Sequence, residues 1–416
     1  MTGRELLAKT LAHKETERLS VDFGATAVTG IHVMCVERLR EYYGLEKRPV
    51  RVIEPYQMLG LIEEDLKQVL GVTVDGFTGL STMFGFRIEN FKPYRTLWGQ
   101  DVLVPGGFNT TSDADGGELI YPEGDVSVLP SGKMPTGGYY FDSIIRQGEL
   151  DDDNLNPEDN LEEFGLISAG DIQRVKRQID GMASGGRGII ASFGGTGLGD
   201  IALVPAPMLV NPKGIRDVAE WYVSTVTRQE YLHRIFAGQT ETALENLARL
   251  HKAVGDLVQA VFICGTDFGT QTSQFCGKET FDSLYAPYYK KINDWIHSNT
   301  GWKTFKHSCG AVEPLLDNMI RAGFDIMNPV QCSAAGMDPA GLKKKYGRDL
   351  VFWGGGVDTQ KTLPFGTPAQ VREEVLERCS IFSKDGGFVF NTIHNIQADT
   401  PVENVAAMVA ALGEFH

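Results

Sequence analysis

From about residue 166 onward the chain alternates amphipathic stretches with short apolar runs, at least six times without a break. The apolar runs are GIIASF (188–193), LVQAVFICGTDFG (257–269), KTFKHSCG (303–310), DIMNPVQ (325–331), LVFWGGGVD (350–358) and GFVFNTIHNI (387–396). Near-continuous apolar strands are what a sheet shows when both of its faces are covered. The stretches between them carry apolar residues at helical spacing, and their starts are well signed, as at Thr367-Pro368. Parallel strands need helical crossovers. The pattern therefore predicts an α/β fold with a parallel sheet, and the number of units favours a closed (β/α)8 TIM barrel over an open sheet.

The earlier half of the chain is less regular. Residues 1–70 read as an N-terminal helical segment packed on the barrel, opening with the amphipathic MTGRELLAKTLAHKETERLS, and residues 71–416 as the barrel itself. VTVDGF (72–77) reads as a buried strand carrying Asp75. Short strand-like runs separated by Gly, Pro and Asp turns over 80–135 predict hairpins. With the acidic stretch 142–165, expected to be a solvated loop, they form a β-rich insertion of about 80–165 over one mouth of the barrel.

Composition narrows the function classes. A net charge of −15 argues against gripping nucleic-acid phosphates over a broad face. No apolar run is long enough to cross a bilayer, and the N-terminus lacks a secretory apolar core, so a cytoplasmic protein is the default expectation. The six cysteines are scattered through a long chain and do not suggest a disulfide framework.

A barrel gathers the C-terminal ends of its strands on one mouth, where its chemistry sits. The polar residues at those ends are Asp75, Asp200, Asp267, His307 with Cys309, Asn328, Gln331 with Cys332, Asp358 with Gln360, and Asn391 with His394 and Asn395. Singly, such residues cap helices and shape turns. As a set they are richer in carboxylate, amide and soft ligands than capping needs. KTFKHSCG is the centre of this set. Strand side chains two apart share a face, so His307 and Cys309 point the same way if the strand persists to its tip. Imidazole and thiolate together are half of a zinc ligand set. The third ligand is open between His394 and Cys332, with His394 slightly favoured. Asp267, Asp75 and Gln331 are the candidate catalytic groups. Gly194, Gly195 and Asn391 are the candidate cofactor contacts, although the GGTGLGD loop suits a tight βα turn better than a phosphate cradle.

The pieces IIASFGGTGLGD, FICGTDFGTQ, FKHSCGAVEPLL, DIMNPVQ, FWGGGVDTQ and FNTIHNIQADTPVEN resemble the uroporphyrinogen decarboxylase superfamily, over about 186–412. That group is a (β/α)8 barrel and includes decarboxylases and corrinoid-linked zinc methyltransferases. The arginine-rich N-terminal signature of the decarboxylases is absent, and His307-Ser308-Cys309-Gly310 resembles the zinc motif of the methyltransferase branch. Where that branch carries a cysteine as third ligand, this chain has His394 within IHNI, which looks like the decarboxylases' own motif. The resemblance implies a methyltransferase using Zn2+ and a corrinoid carried by a partner protein. A small methyl donor or acceptor, such as a methoxylated aromatic in O-demethylation, would complete the reaction, and a homodimer is compatible with it. The alternatives are a metal-free lyase acting on a carboxylated substrate through Asp75, Asp267 and His394, and a barrel that binds a corrinoid or tetrapyrrole without turnover.

Overall fold

The computed structural model describes residues 1–193 and 196–415. Eight parallel strands form one sheet that curls into a barrel. In chain order they are β1 (Ser20–Val21), β2 (Val74–Phe77), β3 (Gly188–Ala191), β4 (Ala260–Cys264), β5 (Lys303–His307), β6 (Ile326–Asn328), β7 (Val351–Trp353) and β8 (Phe388–Phe390). From β2 to β8 each strand pairs with the next, and β1 pairs with β8. The seam between β1 and β2 is stitched by Thr73. Its N–H donates to the Val21 carbonyl at 2.9 Å, and its Oγ1 accepts from the Val21 N–H at 2.8 Å. The chain is thus a (β/α)8 TIM barrel, as the alternation predicts.

Strand periodicity divides the barrel wall into two apolar layers. Val74, Ile190, Ala260, Phe305, Ile326, Val351, Trp353 and Val389 point inward and pack on one another. Leu7 and Leu11, fully or almost fully buried, join this inner cluster from below. They belong to α1 (Gly3–Leu11), whose first turn is fixed by a capping box between Thr2 and Glu5. The helix therefore plugs the end of the barrel opposite the strand tips. Outward-facing residues such as Val261 and Phe352 form the second, larger layer beneath the surrounding helices.

Two expectations need correction. The first 70 residues are not only helical: they supply β1, and Val50–Glu54 and Leu59–Gly60 are strands as well. Val50–Glu54 pairs with Leu59–Gly60 on one side and on the other with Asp101–Val104, which in turn pairs with Lys92–Arg95, so this four-stranded sheet of the cap is assembled from chain on both sides of β2. A second four-stranded sheet, wholly antiparallel, spans Thr110–Ser112 to Asp142–Ser143, in keeping with the predicted hairpins. Finally, the acidic stretch 142–165 is anchored in part. Arg216, 1% exposed, bonds the Glu163 carboxylate at 2.7 Å, and buried Asn160 holds the backbone of Ile215 through both ends of its amide. All six cysteines are free thiols. Among the described residues no helix is long and apolar enough to cross a membrane.

Candidate metal centre and its cavity

β5 ends at His307, whose ring is buried above Phe305. Two neighbours fix its tautomer. The amide nitrogen of Asn328, at the tip of β6, donates to the Trp353 carbonyl at 2.8 Å, which turns its oxygen toward His307 Nδ1 at 2.7 Å. Nδ1 must then carry the ring proton, and the Nε2 lone pair is free. That lone pair faces Cys309 Sγ at 3.5 Å.

The turn that brings Cys309 back over His307 is held at each step. The Cys309 N–H donates to Asp267 Oδ1 at 2.6 Å, and the Gly310 N–H donates to Gln331 Oε1 at 2.7 Å. Ser308 Oγ accepts from the Phe268 N–H at 2.9 Å. Gly310 has φ +89, and a Cβ there would meet the Gly269 backbone at 2.4 Å, so no larger residue fits. Behind the turn, fully buried Lys306 donates to the carbonyls of Thr266 (2.7 Å) and His307 (2.6 Å). Its ammonium lies 5.1 Å from the Phe268 ring centre and 5.6 Å from that of Tyr289.

His394 arrives from the loop after β8, with φ +112. A non-glycine residue rarely occupies that region unless its surroundings force it. One ligand atom from each of His307, Cys309 and His394 lies within 4.8 Å of the other two. His394 Nδ1 accepts from the Asn395 N–H at 2.8 Å. Ligation through either ring nitrogen would give up that bond, because the neutral ring has a single lone pair. His307 and Cys309 need no such adjustment.

Burial dominates the electrostatics. It pulls both His307 and His394 down to about 4, so both rings are neutral near pH 7. Burial, reinforced by the Asp267 charge, pushes the Cys309 thiol well above its ordinary value. Neutral imidazoles and a thiol that ionises only beside a cation form a donor set suited to a soft divalent metal.

His307 and His394 of this trio open onto a cavity of about 940 Å³ between the strand tips and the cap, with Cys309 behind them. Asp267, Asp200 and Glu54 line it together with His307 and His394. Burial raises Asp200 to about 6 and Glu54 to about 7, and raises Asp267 as well.

The structure separates the remaining candidates. Asp75 follows inward-facing Val74, so it points out of the barrel, where it pairs with Lys67 at 2.5 Å and Arg187 at 3.6 Å. It does not line the cavity. Gln331 steadies the Gly310 turn and also lies outside the lining. Asn391 is fully buried and donates to the Asp22 carbonyl at 2.7 Å, fastening the loop after β1 and not lining the cavity. Cys332 stands apart from the trio, its thiol donating to the Val330 carbonyl at 3.3 Å. Gly194 and Gly195 lie outside the described residues. Asp200 was among the polar residues expected at the strand tips, though without a specific role, and sequence reasoning missed Glu54 and Lys306. Lys306 was visible as a charge inside an apolar strand, whereas Glu54 sits in a segment expected to be helical.

Comparison with known proteins agrees with this architecture. A stretch of 88 residues is 36% identical to uroporphyrinogen decarboxylase from Psychromonas ingrahamii and 33% identical to that from Actinobacillus succinogenes. It covers 20% of this chain and 24% of each relative, so the matched region spans about a quarter of those proteins. Across the whole chain, the fold matches a methyltransferase from Methanosarcina mazei with a TM-score of 0.54 at 13% identity, covering 100% of this chain and 99% of that one. Residues 204–415, just over half of the chain and including all three converging ligands, match the uroporphyrinogen decarboxylase (URO-D) family, and the chain belongs to that family.

Proposed function

We propose that the chain is a zinc-dependent methyltransferase, moving a methyl group between a small methylated substrate and a corrinoid carried by a partner protein. The observation that carries this reading is the convergence of His307, Cys309 and His394, with both imidazoles lining a large cavity. His307 would hold the ion through Nε2, Cys309 through its thiolate, and His394 after releasing the Asn395 N–H. Three protein ligands leave a fourth position for a substrate atom. Zinc so held supplies a Lewis acid that favours the charged form of a bound thiol or oxygen. The chain's own part is positioning. Asn328 sets the His307 tautomer, and Asp267 and Gln331 hold the Cys309 turn. The methyltransferase from Methanosarcina mazei shares the fold, which is compatible with the reading. The lyase alternative would need cations to clamp carboxylates. Among the described residues lining the cavity there is no Lys or Arg.

The test is metal content and methyl transfer in parallel. Wild-type protein purified under reducing conditions is expected to carry about one zinc per chain. His307→Ala and Cys309→Ser should carry almost none and should lose methyl transfer to cob(I)alamin, followed by its absorbance, by roughly a hundredfold or more. A wild type that neither contains zinc nor takes it up, or a His307→Ala variant that keeps its metal, rules the reading out.

A further inference from the structure

The cavity wall carries several carboxyl groups. Glu54, Asp142 and Asp200 line it, and none of them has an ion-pair partner among the described residues. Two other carboxylates of the lining are accounted for: Asp171 pairs with Arg87 at 3.0 Å, and Asp267 belongs to the Cys309 turn. Glu54 receives the N–H groups of Tyr56 (3.0 Å) and Met83 (3.1 Å), and Asp200 that of Ala202 (3.0 Å). Peptide dipoles orient these carboxylates without cancelling their charge. Buried carboxylates are ordinarily paired, because desolvating a lone one is costly. Their raised values, about 7 and about 6, express that missing partner. The same cavity presents Tyr56, Phe77, Phe193 and Phe262, rings whose faces attract alkylammonium groups.

We propose that the small molecule taken by this cavity is an organic ammonium ion, its positive charge met by Glu54 and Asp200 and its alkyl groups by the aromatic wall. This names a substrate class for the methyl-transfer reading and rests on it. The same wall disfavours sulfonates and carboxylates, including carboxylated methoxybenzenes, which would bring a second negative charge to a site without a cation.

The experiment compares choline with its uncharged carbon isostere, 3,3-dimethylbutan-1-ol, by titration calorimetry on the full chain at low salt. Wild type is expected to bind choline at least about tenfold more tightly than the isostere. Glu54→Gln and Asp200→Asn should each shrink that ratio while leaving the isostere's affinity in place. Two variants are used because Glu54 also holds two backbone N–H groups and its replacement could disturb the fold. Equal affinity for the two probes in wild type, or an unchanged ratio in both folded variants, overturns the proposal. Methyl transfer to cob(I)alamin from a panel of methylated donors is measured separately. No transfer from any donor, with the charge preference intact, brings down the parent reading and not the cavity's selectivity.

Discussion

Asp22 shows how one side chain in this barrel links structure to pH. It is fully buried just beyond β1, accepting from the Trp353 indole N–H at 2.9 Å and the Ala25 N–H at 2.8 Å. Burial raises its carboxyl to about 6. Because the folded state holds this proton more tightly than the unfolded chain, its contribution to stability is fully present below about pH 4. It is lost as the pH rises through 6. Asp22→Asn removes the titration, so wild type should gain up to about 3 kcal/mol relative to the variant between pH 7 and pH 4. Urea denaturation of both proteins at the two pH values reads this difference directly, and parallel stability profiles would contradict it. The same scale shows what a sequence can and cannot reveal. His307 and Cys309 were legible as a pair from their spacing, but by another route than the one expected: β5 ends at His307, and the turn after it folds Cys309 back over the ring. Asp75 misled because a strand's periodicity does not say which of its two faces looks inward. Here Val74 took the interior and left Asp75 to Lys67. Asn391 misled for another reason: its place on a barrel strand tip was real, but a loop from the far end of the chain had claimed its amide.

At the scale of elements, α1 has the most to lose. Its helical character was plain from its amphipathic pattern, but nothing local said that its apolar face would close a barrel. Leu7 is fully buried there and packs against Gly188, where even a methyl group would lie 2.4 Å from the leucine side chain. Leu7→Ala leaves a void in a rigid enclosure that cannot collapse around it. A loss of about 2–5 kcal/mol is expected, measured by thermal or chemical unfolding. A loss under about 1 kcal/mol would mean that the helix is a peripheral attachment. The cap strands teach the complementary lesson. Val50–Glu54 pairs in parallel with Asp101–Val104, which comes after β2, so the sheet it joins depends on a pairing a local pattern does not contain. Glu54, which the cap delivers into the cavity, was hidden by the same non-locality.

For the whole molecule, the barrel is not separable from its first segment. The regular alternation made six of its strands readable, yet β1 is only two residues long and was expected to lie outside the barrel. A protein trimmed to residues 71–416 lacks one of the eight strands and the α1 plug, exposing the edge of β8 and the floor of the interior. It is expected to show no cooperative unfolding transition and to aggregate on expression. A soluble fragment that melts as sharply as the full chain would refute this. The pairing of Ser20 with Val389 also sets a timetable. Synthesis reaches the neighbour of β1 about 370 residues after β1 itself, which at roughly 5–20 residues per second is a wait of about 20–70 seconds. Through that interval the nascent chain must carry β1 without its mate, so the barrel cannot close until nearly all of the described chain has been made.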